Sequence, residues 1–300
     1  MNLDTAAPGF SHPRVLASAL VRFYFLVHGR FRLPGAGWLL RRVARVVPGL
    51  RAFPLDVPGV GMAEVDFRDE AVFTLLNLGL GELGNHAALI SWMERCLAPG
   101  AVLWDVGANV GFVSAHFAHP RHRLGAVHAF EPAPGPLRVL DSLFRGHKLV
   151  RVHPFGLGAR DEELALRVQP GSSAYSSLKR ELDHATTVPI RIRRGDEVQR
   201  ELFLPPPDVI KVDVEGFEPQ VFDGLRETLR ERKPVLFFEH IMLTDEQVRA
   251  LQPDGWTLRF ILDDGRLAED FRERMRGHDA VLLPPEKREL LVNTNRPAAG

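Results

Sequence analysis

The sequence predicts an α/β fold in which a doubly wound, mostly parallel sheet carries a site at the carboxyl ends of its strands. Three observations carry that prediction. From residue 101 onward, strand-like and helix-like segments alternate, which implies right-handed β-α-β crossovers. Several apolar strands end in an acid, at Asp105, Glu131, Asp213 and Glu239. The stretch Val102-Leu103-Trp104-Asp105-Val106-Gly107-Ala108-Asn109-Val110-Gly111-Phe112 reads as strand, tight glycine turn and helix start. That order points backbone N–H groups and a positive dipole end at a cleft, where an anionic part of a nucleotide-like ligand can sit.

In chain order, residues 12–29 and 35–47 read as two helices separated by Leu33-Pro34-Gly35, both mixing Arg with apolar side chains. Phe23, Tyr24 and Phe25 in a row suit burial, so a helical cap is the favoured reading, with a membrane or partner contact as the other. Residues 53–69 alternate and carry Pro and Gly, as a short hairpin would, and 84–97 form a helix ending at Pro99-Gly100. Strand 101–106, helix 111–118, strand 126–130, helix 134–146 and strand 149–155 follow. A β-rich insertion covers about 157–200, with 164–168 and 188–193 as its strands; Ser172, Ser173, Ser176 and Ser177 read as a surface loop or a lid. Strand 208–213, helix 218–232, strand 234–239, helix 244–251 and strands near 256–262 and 279–283 complete the chain. The division expected is residues 1–80 as cap and hairpin, and 81–300 as the main domain.

With 300 residues and 45% hydrophobic content, the chain can bury one large α/β core plus a smaller appendage. Its net charge is zero but unevenly spread. Residues 1–52 hold eight arginines against Asp4 alone, leaving 30 basic and 37 acidic residues in the rest. An acidic body argues against broad nucleic-acid binding, while the basic arm suits peripheral contact with the inner face of a membrane. Cys96 is the only cysteine, which excludes an intrachain disulfide and suggests a reducing, cytoplasmic setting with a buried structural thiol. The apolar run 15–27 is interrupted by Arg22 and too short to span a bilayer, and the start of the chain lacks the pattern of a signal peptide. No Cys/His cluster with metal-ligand spacing is visible, so no metal is expected.

Four constellations carry chemistry. The first, D-x-G-x-N-x-G at Asp105, Gly107, Asn109 and Gly111, is not the G-x-G-x-x-G of dinucleotide-binding enzymes. An acid at the strand end favours a cationic amine, and S-adenosylmethionine combines an amine, a carboxylate and a ribose. Second, Glu131 ends the next strand before Pro132 and can accept bonds from two ribose hydroxyls. The third is Lys211, Asp213 and Glu215, alternating with Val at the end of a buried strand. Three such charges are costly there unless they face a cleft or pair together. Last comes Glu239-His240 after another apolar strand, where a His near carboxylates can act as a general base.

Together, Asp105-Val-Gly-Ala-Asn-Val-Gly111, Phe130-Glu131-Pro132, Ile210-Lys-Val-Asp213-Val-Glu215-Gly216 and Phe238-Glu239-His240 resemble the FkbM-type methyltransferases. The resemblance covers about residues 80–240. It implies a class I methyltransferase Rossmann-like fold, S-adenosylmethionine as cofactor and methylation of hydroxyl groups on macrolides or sugars. By the same resemblance, Asp105, Gly107, Asn109 and Gly111 line the methionine end of the cofactor, Glu131 holds the ribose, and the Lys-x-Asp-x-Glu-Gly signature lines the acceptor side. Asp213 and His240 are then base candidates, with Glu215 orienting the acceptor or the base, and Lys211 and Glu239 contacting the substrate. Asp213, Glu215 and Glu239 could also hold a divalent cation through oxygen. One departure is Arg194-Gly195-Asp196-Glu197, where the family shows Leu-Asp. A nucleotide-dependent oxidoreductase on the same fold and a non-catalytic membrane or glycan-assembly adaptor are the alternatives. The glycine spacing and Asp105 argue against the first, and the retained acids against the second.

Overall fold

The computed structural model describes residues 12–31, 35–169, 172–177 and 186–291. Two helices begin it, α1 (His12–Phe31) and α2 (Ala36–Ala44). Leu33 and Pro34 of the expected break lie outside the described residues. Helix α1 buries Ala17, Val21 and Tyr24, one face at helical spacing, and α2 buries Leu40 and Ala44. An antiparallel hairpin follows, β1 (Phe53–Val57) with β2 (Gly61–Val65), its inward side chains being Leu55, Val57, Ala63 and Val65. The sequence reading did not mark the next helix, α3 (Val72–Gly79), which buries Val72, Leu75 and Leu76. Its Phe73 ring lies 6.1 Å from Tyr24 and 5.7 Å from Phe67, which ties the first helices to the core. A 3-10 turn at Gly84–His86 leads into α4 (Ala87–Cys96).

The body then alternates as expected: β3 (Val102–Val106), α5 (Phe112–Ala118), β4 (Ala126–Phe130), α6 (Pro134–Leu143) and β5 (Val150–His153). The insertion is a separate four-stranded sheet of β6 (Gly156–Gly158), β7 (Glu162–Gln169), β8 (Ser172–Ser177) and β9 (Thr186–Arg194), in the order β6-β9-β7-β8. The serine stretch expected as a loop or lid is thus strand β8, paired antiparallel with β7. After it come α7 (Gly195–Glu201), β10 (Val209–Val212), α8 (Glu218–Gly224), α9 (Arg226–Arg232), β11 (Val235–Glu239) and α10 (Asp245–Ala250). The expected single helix over 218–232 is two. It breaks where Gly224 meets Gly158 of β6, so closely that an added Cβ would stand 1.9 Å from the Gly158 carbonyl oxygen. The chain ends in β12 (Thr257–Ile261), β13 (Leu267–Ala268) and β14 (Asp279–Leu283).

The main sheet has the order β13-β12-β14-β11-β10-β3-β4-β5. Strands β3, β4, β5, β10 and β11 are parallel, while β14 runs antiparallel between β11 and β12. This is a doubly wound, mostly parallel α/β sheet, as expected. Alternate residues of β3 enter opposite cores: Leu103 joins the layer of α1 to α6, and Trp104 joins the layer of the insertion and α8 to α10. From β3 the chain winds outward through β4 and β5, then returns to β10 on the other side of β3. The switch point of the sheet therefore lies between β3 and β10, where open α/β sheets bind ligands.

Candidate active site

A cavity of about 600 Å³ opens at that switch point. Its walls come from the turn after β3, the ends of β4, β10, β11 and β14, the Gly84–His86 turn and the insertion. Gly107 has φ +76°, and a Cβ there would stand 1.9 Å from the Asp213 carbonyl oxygen, so only glycine lets the turn approach the end of β10. Asn109 is also left-handed, at φ +50°, and its N–H donates to Glu131 Oε2 at 2.8 Å. The Ala133 N–H donates to Glu131 Oε1 at 2.7 Å. Glu131 thus clamps the two turns that flank the cavity. Burial pushes its carboxyl up to about 7 against the pull of those two N–H groups.

Gly107, Asn109 and Glu131 line the cavity, whereas Asp105 and Gly111 stand behind it. Asp105 is fully buried. Its Oδ2 accepts from the Ser114 N–H at 3.1 Å and hydroxyl at 2.7 Å, and its Oδ1 is 3.5 Å from Lys211 Nζ. This internal network ties Asp105 to α5 and Lys211. Gly111 is needed for packing: a Cβ would come 2.7 Å from Leu140 of α6.

Lys211 is the cation at the centre. Its Nζ donates to the Gly107 carbonyl oxygen at 3.1 Å and lies 3.3 Å from Asp213 Oδ2. Burial alone would lower its pKa, but Asp213 and Asp105 outweigh burial and hold it above the usual lysine value. Around it stand Asp213, Glu215, Glu239 and Asp279, all on the cavity wall. One lysine does not neutralise them, and burial favours the neutral form of two. Burial, reinforced by Asp213 and Glu215, pushes Glu239 up to about 10; burial and Asp213 push Asp279 up to about 7. Asp213, Glu215 and Glu239 bring one carboxylate oxygen each within 4.8 Å of the others, a spacing that could also hold a divalent cation. Glu215 itself is left-handed, at φ +53°. The loop it sits on is held by Glu218, which accepts from the N–H groups of Val214 and Gly216 at 3.1 and 3.2 Å.

His240, expected as a base, is fully buried and off the cavity wall. Its Nδ1 lies 3.2 Å from Arg274 Nη1, and Arg274 also donates to the carbonyl oxygens of His240 and Leu243. Burial and Arg274 push the imidazole down to about 4. It is a packed neutral ring that anchors the loop after β11. Among the described residues, the histidines on the wall are His86 and His278, neither singled out from sequence. His86 packs on Phe112 at 4.7 Å, and burial, then Lys211, keeps its pKa below the ordinary value.

Elsewhere, Gly195 lacks a side chain because a Cβ would meet Leu225 at 2.5 Å. Its neighbour Asp196 accepts from Glu227 N–H, Thr228 N–H and Thr228 hydroxyl at 2.8–3.0 Å, so it caps α9. Burial pushes the Cys96 thiol up to about 12, in keeping with an inert structural role. One convergence was invisible in the sequence: Glu94, His116 and His122 bring ligand-type atoms within 4.8 Å of each other. There the Arg121 guanidinium already lies against both rings, 2.9 Å from His122 Nε2 and 3.3 Å from His116 Nε2.

The site thus combines a glycine turn clamped by an acid, fit for a nucleoside, with a cluster of acids and histidines fit to handle an acceptor proton. The methyltransferase FkbM domain matches residues 105–279 of this chain. The hexuronic acid methyltransferase AglP of Haloferax volcanii is 27% identical over 182 residues, 60% of this chain and 69% of AglP. The 31-O-demethyl-FK506 methyltransferase FkbM of Streptomyces tacrolimicus is 54% identical over 44 residues, 15% of this chain and 16% of that protein. A solved FkbM methyltransferase from Methylobacillus flagellatus superposes with a TM-score of 0.42 at 18% identity, covering 72% of this chain and 56% of its own.

Proposed function

The chain belongs to the FkbM methyltransferase family, and on that premise we propose that it methylates a hydroxyl group of a sugar, glycolipid or secondary metabolite, with S-adenosylmethionine as donor. The observation that carries the reading is the clamp of Glu131 on the Asn109 and Ala133 turns, beside an acid-lined cavity at the sheet's switch point. The cofactor, when bound, supplies an activated methyl group on a cationic sulfur. Glu131 would hold its ribose, and Gly107 and Asn109 would line its place with backbone. An excess of carboxylates over Lys211 suits a cation in the cavity.

An alcohol is a poor nucleophile at neutral pH, so a base beside it is worth about 10²–10⁴-fold. Asp213 and Glu215 fill that role from the end of β10, with His86 as the neutral imidazole within the same wall. Lys211 and Glu239 position the acceptor side. Acceptor oxygen and donor carbon held in line can supply roughly 7–11 kcal/mol of the barrier. The names of AglP and FkbM support a sugar or macrolide hydroxyl as acceptor. The carboxylate spacing of Asp213, Glu215 and Glu239 supports a second reading, in which a divalent cation takes the place of the Glu239 proton. Turnover lost on chelation and restored by Mg²⁺ would select that version.

The deciding experiment is titration calorimetry of S-adenosylhomocysteine into the full chain. Micromolar binding is expected, weakened about 10–100-fold in Glu131→Ala through loss of charge-assisted hydrogen bonds. Failure to bind, with binding of NADH instead, would overturn the reading.

A further inference from the structure

Helices α1 and α2 carry a second apolar face that the fold does not use. Packing consumes Ala17, Val21 and Tyr24 on α1, and Leu40 and Ala44 on α2. On the outer side of α1, Leu16, Phe23 and Leu26 follow helical spacing with 51%, 63% and 71% of their surface open. Trp38 and Leu39 on α2 are 57% and 58% open, and Val46 just past its end is 77% open. Among the described residues, six of the eleven exposed large apolar side chains fall within residues 16–46, a stretch of about one tenth of the sequence.

The charges on this face have one sign. Arg22, Arg42 and Arg45 are exposed beside the apolar side chains, and Arg42 lies over the Trp38 ring at 4.5 Å. No Asp or Glu occurs between Asp4 and Asp56. Aromatic and aliphatic side chains interleaved with arginines fit the boundary between phosphate headgroups and acyl chains. A nucleic acid would use the arginines but leave the leucines in water. No described helix is long and apolar enough to cross a membrane, so the contact is with its surface.

We propose that the outer faces of α1 and α2 dock this protein on an anionic lipid bilayer. The docked layer is joined to the site through α3, since Phe73 packs on Tyr24 while Thr74 lines the cavity. The proposal stands apart from the identity of the acceptor, and its test does not use turnover.

The test is flotation of the full chain with vesicles of phosphatidylcholine alone and with about 30% phosphatidylglycerol added. Binding to the anionic vesicles only, weakened by salt, is expected. Arg42→Glu with Arg45→Glu should weaken it at least about fivefold per arginine. Trp38→Ser with Leu39→Ser should abolish it while leaving S-adenosylhomocysteine affinity and thermal unfolding unchanged, because these side chains are already exposed. Equal partitioning of wild type with and without anionic lipid would overturn the proposal. So would a dimer in light scattering that Leu39→Glu converts to monomer, because the face would then belong to a second copy.

Discussion

Glu131 has two tasks with one carboxylate, and its titration separates them. It already accepts one backbone N–H on each oxygen, and burial sets its pKa at about 7. A ribose diol donates to the ionised form, so nucleoside affinity is expected to be full above that pKa and to fall below it. From about pH 8 to about pH 6, S-adenosylhomocysteine affinity should drop about tenfold, and Glu131→Gln should flatten the profile. Glu239 makes the matching prediction for stability. Its folded pKa is raised to about 10, chiefly by burial, so the unfolded chain gives up that proton at a much lower pH. Stability is therefore fullest below the unfolded pKa and is lost as pH rises toward the folded one. Glu239→Gln should leave stability little changed near pH 5 and raise it by about 4 kcal/mol near pH 8 in urea denaturation.

At the scale of the element, the β3 turn and the loop after β10 are built against each other. Gly107→Ala would place a methyl on the Asp213 carbonyl and force a left-handed alanine. A loss of about 3 kcal/mol or more in denaturant unfolding, with weakened nucleoside binding, is expected. These elements were legible because their signals are local: the run from Val102 to Phe112 contains its own strand, turn and helix start, and Glu131 sits beside its own proline. His240 was misread for the same reason. The pattern of acid then histidine after an apolar strand says nothing of Arg274, which approaches from 34 residues away and closes over the ring. Likewise Asp196 caps a helix 31 residues onward, and the break between α8 and α9 depends on the β6 backbone.

In the whole molecule, the first two helices are part of the core as well as its edge. Deleting residues 1–50 would uncover the apolar faces that Val21, Tyr24 and Leu40 now cover, along with the Phe73 ring. At about 1.5–3 kcal/mol for each large side chain, a loss on the order of 5 kcal/mol is expected, read as a lower unfolding midpoint or aggregation of the truncated protein. The parallel sheet was legible from the alternation of elements, but strand order was not, because β14 slots between β11 and β12 only through long-range pairing. The wall contributed by His86 was hidden too, since it lies on a 3-10 turn ahead of the motifs and meets them only in the folded chain.

The first and last strands of the insertion lie side by side. Strand β6 pairs with β9 in parallel, Gly156 opposite Ile192 and Gly158 opposite Arg194. Leu157, Leu166, Ile190 and Ile192 from this small sheet form part of the cavity wall, while Gly107, Asn109 and Glu131 come from the main one. One cavity is thereby walled by two sheets, and the residues proposed to grip the nucleoside all lie on the main one. Under the proposed function, changes at Leu157, Leu166, Ile190 and Ile192 would reshape one wall of that cavity and leave Gly107, Asn109 and Glu131 in place.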